Sequence, residues 1–416
     1  MTPDAPPVPA SPPLPPRPGP QPPPPAAGPR PPSPGRLIGV DLARGLAVCG
    51  MYASHVGPDP TVGGPIGFLA ELARGRSSAL FALLAGFSLV LITGRPRPRT
   101  GRAGRQAAGR VVIRALILIA AGYALTALDT DVEVILAFYG LIFLLVLPLY
   151  RLRARILALL AAATALLMPV LLYVIQRAVY GGDWAETVVA ADPLARLTDT
   201  DGLLELLFTG SYPVLTWTPF VITGMAVARL DLTRGRTRTL LALTGGGLAV
   251  LGHGGSWLAL RFVPRARATV AAATDGDGAS SAWWSDTVGH LTDDTPGAWL
   301  LVGAPHSQTT FSVLGSTGVA LLVVAACVTA AARMPRLVRA ARPVAAVGMV
   351  ALSAYVAHIL AIHRFGMADD TGPALIELGV YIATAMLLAT LWTRYFRRGP
   401  LEYVLHRATR LTRHLK

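Results

Sequence analysis

Apolar blocks of about 20 residues, each bounded by charge, recur along most of this chain. That is the length of helix needed to cross ~30 Å of hydrocarbon. Ten such spans are predicted, at about 37–57, 76–94, 110–128, 132–150, 155–179, 203–229, 238–262, 311–332, 343–364 and 373–393. Only 14% of residues are charged and mean hydropathy is +0.51, whereas soluble domains carry about 25% charge. A soluble enzyme with one large core is therefore excluded. The expected fold class is all-α, a polytopic transmembrane helix bundle.

Charge in the connections orders the spans. Arg95, Arg97, Arg99, Arg102, Arg105 and Arg110 fill the second connection, and Arg151, Arg153 and Arg155 the fourth. Arg234, Arg236 and Arg238 fill the sixth, and Arg333, Arg336, Arg339 and Arg342 the eighth. Odd connections are acidic instead, as with Asp183, Glu186 and Asp192, or Asp293 and Asp294. By the positive-inside rule both termini are expected in the cytoplasm of a multi-pass cell-membrane protein. The same alternation accounts for the net charge of +14 without nucleic acid as a partner. Residues 1–35 are Pro-rich and lack an apolar core, which predicts a disordered cytoplasmic tail and no cleavable signal. The membrane domain is expected over 36–398, with a basic cytoplasmic tail at 399–416. Cys49 and Cys327 both fall within apolar spans, so neither a disulfide framework nor a metal site is expected.

The first span carries ionisable groups at both ends. Asp41 and Arg44 are three residues apart, so they share a helical face and can neutralise each other. His55 lies roughly 21 Å further along at ~1.5 Å per residue. Charges in a spanning helix are costly unless paired or functional. Five of the eight histidines, His55, His290, His306, His358 and His363, gather at or near the expected outer face. Imidazole is the usual general base at neutral pH, although a histidine near a helix end is also satisfied by a hydrogen bond at the interface. His358 and His363 are five residues apart, a poor spacing for two metal ligands on one helix face. In the sixth span, Pro213 and Pro219 are expected to break the helix where backbone lines a cavity or is buried. Tyr212 and Trp217 then either line that cavity or form an aromatic belt at the interface.

The run Asp41-Leu42-Ala43-Arg44-Gly45-Leu46-Ala47, with His55 following, resembles bacterial membrane proteins that carry the heparan-α-glucosaminide N-acetyltransferase catalytic domain. It also resembles the related family numbered 418 among domains of unknown function. Tyr212-Pro213-Val214-Leu215-Thr216-Trp217 with Gly224-Met225, and Pro305-His306-Ser307 with Gly315, Ser316 and Gly318, look like later parts of the same pattern. Gly399-Pro400-Leu401-Glu402 resembles the terminal signature of the 418 family. The resemblance implies transfer of an acyl group, acetyl first, from cytoplasmic acyl-CoA to an amine or hydroxyl outside, often on a glycan. The animal enzyme's motif has Asn where His55 stands, followed by a catalytic His about a dozen residues on; residues 56–75 here contain none.

On this reading acyl-CoA is a co-substrate, and the bilayer and an extracytoplasmic glycan or similar acceptor are partners. His55 is the leading general base and His306 assists it. Asp41, Arg44, Tyr212, Trp217 and His358 are expected to bind or border substrate. A transporter or flippase for a lipid-linked or small polar solute is the alternative, using the same broken helix and polar cluster without a donor.

Overall fold

In a bilayer, backbone N–H and C=O groups must bond within their own segment, so apolar blocks of this length have to become helices. The computed structural model describes residues 37–414, apart from 131, 181, 183, 199–201, 275, 277, 289–294 and 367–372. The tail expected at 1–35 lies outside the described residues, as do His290, Asp183, Asp293 and Asp294. Every regular element among the described residues is helical.

Helix α1 (Ile38–Val56) leads to a short α2 (Gly64–Ala73) and then α3 (Arg76–Thr93). Helices α4 (Gly101–Thr126), α5 (Leu136–Val146) and α6 (Ala154–Tyr180) follow, with two short helices after them, α7 (Trp184–Ala191) and α8 (Pro193–Thr198). A π turn at Glu205–Thr209 precedes α9 (Val214–Ala228), and another at Val250–Gly254 joins α10 (Gly235–Ala249) to α11 (Gly255–Phe262). Helix α12 (Ala266–Ala273) opens the long connection to α13 (Thr310–Arg333). The chain continues through α14 (Pro335–Ala340), α15 (Arg342–Met349), α16 (Ala351–Phe365), α17 (Ala374–Tyr395) and α18 (Pro400–Ala408). Each of the ten predicted stretches contains helix. By length and apolarity alone, five helices among the described residues are sufficient to cross a membrane, and a sixth if α15 and α16 form one bent span. The protein is a multi-pass membrane helix bundle.

The core is built by helices that approach closely enough to need glycine. A Cβ on Gly224 of α9 would stand 1.7 Å from the Leu83 carbonyl of α3, and one on Gly86 of α3 would stand 1.9 Å from the Val221 carbonyl of α9. Helices α1 and α15 interlock in the same way: a Cβ on Gly348 would meet the Asp41 carbonyl at 1.8 Å. Such contact compensates for the missing hydrophobic drive between helices in lipid.

Four expectations change. The ninth span is not continuous, because α15 and α16 meet at Val350 with an 88° bend. The α16 end that this exposes is satisfied from a distance: Glu402 of α18 accepts from the Leu352 N–H at 2.8 Å, the Ser353 N–H at 3.3 Å and the Ser353 hydroxyl at 2.5 Å. A carboxylate on the first turn of a helix meets both its unpaired donors and its dipole. Pro219 does not break the sixth span either, since it sits inside α9 while Pro213 immediately precedes that helix. Arg102 and Arg105 lie within α4, exposed on its first turns. Finally, the first outer connection contains α2, a helix the span reading passed over.

The long connection 263–310 is pinned down. Arg76, 4% exposed, donates to the Glu71 carbonyl at 2.9 Å and to the Trp284 carbonyl, with the Trp284 ring 5.8 Å away. Glu71 accepts from the Asp286 N–H at 2.8 Å. His253 contacts the Trp283 carbonyl at 3.2 Å. A small apolar cluster around Trp299, Val302 and Ala304 closes this cap.

Candidate functional site

Helix α1 delivers His55 near its end, and the bend at Val350 directs α16 so that His358 meets it. His55 Nδ1 lies 2.9 Å from His358 Nε2, and the two rings are stacked at 8° with centroids 5.1 Å apart. His358 is 3% exposed, and Tyr355 packs edge-on against it at 5.1 Å. Tyr52 holds the junction. It is one turn before His55 on the same helix face, its ring lies 4.6 Å from His358, and its hydroxyl donates to the Ala354 carbonyl at 2.9 Å.

A second histidine approaches from the outer cap. His306 sits in a loop where both it (φ 57°) and Gln308 (φ 58°) adopt the left-handed conformation, which costs a non-glycine residue ~1 kcal/mol or more. Such conformations persist where surrounding contacts over-determine them. Here the contacts are visible: His306 Nδ1 is 3.2 Å from the Ser211 carbonyl, Gln308 donates to the same carbonyl at 3.0 Å, and Thr216 donates to Gln308 Oε1 at 2.7 Å. Tyr212 and Trp217 enclose the imidazole at 5.4 and 5.8 Å. Gly75 (φ 61°) lies directly against the loop, and a Cβ there would come within 2.5 Å of Pro305 and 3.0 Å of the His306 ring.

The expected site residues thus fall into three groups. His55 and His358 are in contact. Tyr212 and Trp217 are buried around His306, at 5% and 4% exposure, which removes the aromatic-belt reading. Asp41 and Arg44 form their ion pair at 3.1 Å, at the other end of α1. Arg44 also donates to the Gly348 carbonyl at 3.2 Å and to the Ser88 hydroxyl at 3.1 Å. These bonds lock α1 to α15 and α3. His363 is exposed on the last turn of α16. Among the described residues, no three His, Cys, Asp or Glu side chains converge as metal ligands.

Sequence reasoning missed Tyr52, although its three-residue spacing from His55 was available as a signal. It also missed Tyr381 of α17, whose hydroxyl has no partner among the described residues. Both tyrosines and His358 line a cavity of about 1050 Å³ between α16 and α17. Nothing in the local sequence of α17 marks it.

The half-buried His55 and the buried His358 form an imidazole pair within a membrane helix bundle, and His358 also lines the cavity between α16 and α17. The family described as heparan-alpha-glucosaminide N-acetyltransferase, catalytic, matches residues 36–253, which is more than half of the chain. This protein belongs to that family. A second match, to a protein of unknown function (DUF418), covers residues 295–412. Comparison with curated proteins gives no match. His55 lies in the first matched segment and His358 in the second, so the imidazole contact joins them. Membership makes this an acetyltransferase-like membrane protein.

Proposed function

We propose that the protein transfers an acyl group, acetyl first, from cytoplasmic acyl-CoA to an amine or hydroxyl acceptor outside, with His55 and His358 as its proton-handling pair. The observation that carries this reading is the 2.9 Å imidazole contact in a chain of the acetyltransferase family. One nitrogen of each ring is committed to that contact. If His55 Nδ1–H donates to His358 Nε2, then His55 Nε2 keeps its lone pair and is the base. The acceptor proton moves to His55 Nε2, and the acceptor heteroatom attacks the thioester carbonyl. His358 then accepts a hydrogen bond from an imidazolium, the service a carboxylate gives in a hydrolase triad. His306 adds a donor or acceptor from the outer side. Asp41 and Arg44 hold α1 in register from the opposite end. The domain limits 36–398 and 399–416, with ten spans and both ends cytoplasmic, complete the proposal. It places a donor of CoA chemistry on the basic side.

The test uses the full chain in lipid nanodiscs, with binding and CoA release measured over a panel of acyl-CoAs. Turnover that falls about 10²–10⁴-fold in His55→Ala while acyl-CoA binding persists supports the reading. Turnover indifferent to His55→Ala moves the base to His306. Failure of every acyl-CoA to bind ends the acyltransferase reading and favours transport.

A further inference from the structure

The cavity between α16 and α17 is far larger than an acetyl group needs. Pockets of ~300–1,000 Å³ enclose entire drug-sized molecules, and this one measures about 1050 Å³. Its walls are hydrocarbon over most of their length, from Phe365 at one end through Leu388 to Trp392 at the other. Helix α17 is a thin outer wall, with only 6% of its apolar stretch buried by protein. The occupant can therefore enter from the lipid.

Polar side chains interrupt the apolar lining, His358, Tyr381 and Glu377 among them. Tyr381 Oη lacks a hydrogen-bond partner among the described residues, and His358, 3% exposed, lines the same space. Buried polar atoms without partners are costly and rare, so each calls for an explanation. Glu377, four residues before Tyr381 on the same face of α17, also lines the cavity with its carboxyl group. An apolar trough with the Glu377 carboxylate and the unpartnered Tyr381 hydroxyl oxygen as acceptors fits an amphiphile with a cationic head.

We propose that the acceptor is a membrane-embedded amine, its hydrocarbon chain lying between α16 and α17 and its nitrogen beside His358 and Tyr381. This rests on the acyltransferase reading above and names its substrate class. Glu377 draws the ammonium to the entrance, where it loses one proton to water. The neutral nitrogen then attacks the thioester carbonyl carbon. An N–C bond forms, the C–S bond breaks, and the imidazole pair takes the amine's proton and returns it to the departing thiolate. The products are an amide and the CoA thiol.

Two probes test it on the full chain in phosphatidylcholine nanodiscs: hexadecylamine with a photoreactive diazirine on its chain, and water-soluble glucosamine. Ala357→Trp and Ala385→Trp each place an indole in the cavity; Ala357 is exposed there, so the first displaces no core residue. Photolabel on α16 and α17, and acetylation of hexadecylamine in preference to glucosamine, are expected. Both should fall at least about tenfold in either variant, a loss of ~1.4 kcal/mol, with acetyl-CoA binding retained. Labelling indifferent to both substitutions overturns the proposal, and so does preferred acetylation of glucosamine at a rate the indoles leave unchanged. Cavity-dependent labelling in a protein that binds no acetyl-CoA overturns the acyltransferase reading and leaves the hydrocarbon-amine site standing.

Discussion

Helices α9 and α17 are both apolar, yet the protein treats them in opposite ways. Thirteen of the residues of α9 are buried, from Val214 to Ala228, while α17 has one, Ala389. In water such a difference would be legible as amphipathicity. In lipid it is not, because both faces of a spanning helix are apolar whichever way it packs. What separates the two is glycine and small polar groups. Gly224 admits α3 to van der Waals contact, and Thr216 and Thr218 bond within the bundle or to Gln308. Helix α17 carries Gly379 and Thr393, but nothing lies within 4 Å of a Cβ at the first and the second bonds to its own helix; the cavity occurs where this packing lapses.

Breaking the tight side should have the largest effect. Gly224→Val sets side-chain carbons into the Leu83 carbonyl, and with no room to yield it should cost more than about 4 kcal/mol. The expected result is a chain that does not survive size-exclusion chromatography after extraction. Arg44→Ala leaves Asp41 partly buried beside the α1–α15 contact. A loss of about 2–3 kcal/mol is expected, at the lower end for a broken buried pair because both side chains retain some exposure; thermal unfolding in detergent measures it. Glu402→Ala strips the first turn of α16 of its acceptor for about 1 kcal/mol, and Glu402→Gln should recover part of that, since an amide oxygen still accepts. Hydrogen exchange at Leu352 and Ser353 reads the change directly. On the loose side, Leu387→Ala in α17 should shift stability by no more than about 0.5 kcal/mol. A cost comparable to that of Arg44→Ala would mean α17 is covered by protein, and the contrast would fail.

Much of the architecture was legible in sequence because membrane thickness and backbone hydrogen bonding leave few choices for an apolar run. The Asp41–Arg44 pair was legible for an equally local reason, its three-residue spacing. The bend at Val350 was not. Met349, Val350 and Ala351 include neither Gly nor Pro, and the group that satisfies the bend is Glu402, 49 residues beyond Ser353. His55 and His358 are 303 positions apart, so one sequence can nominate each but not their contact. Tyr212 and Trp217 allowed two readings, since an aromatic ring is equally at home in an interface belt and against an imidazole. Only their burial around His306 decides between them.

The distance between Ser353 and Glu402 also sets an order of events at the ribosome. Helix α16, with the second imidazole, is synthesised and inserted before the residue that caps it exists. Until α18 follows and folds back, α16 has unpaired N–H groups at its start and a bend with nothing to hold it. The two histidines therefore reach their final geometry only after nearly the whole described chain has been made.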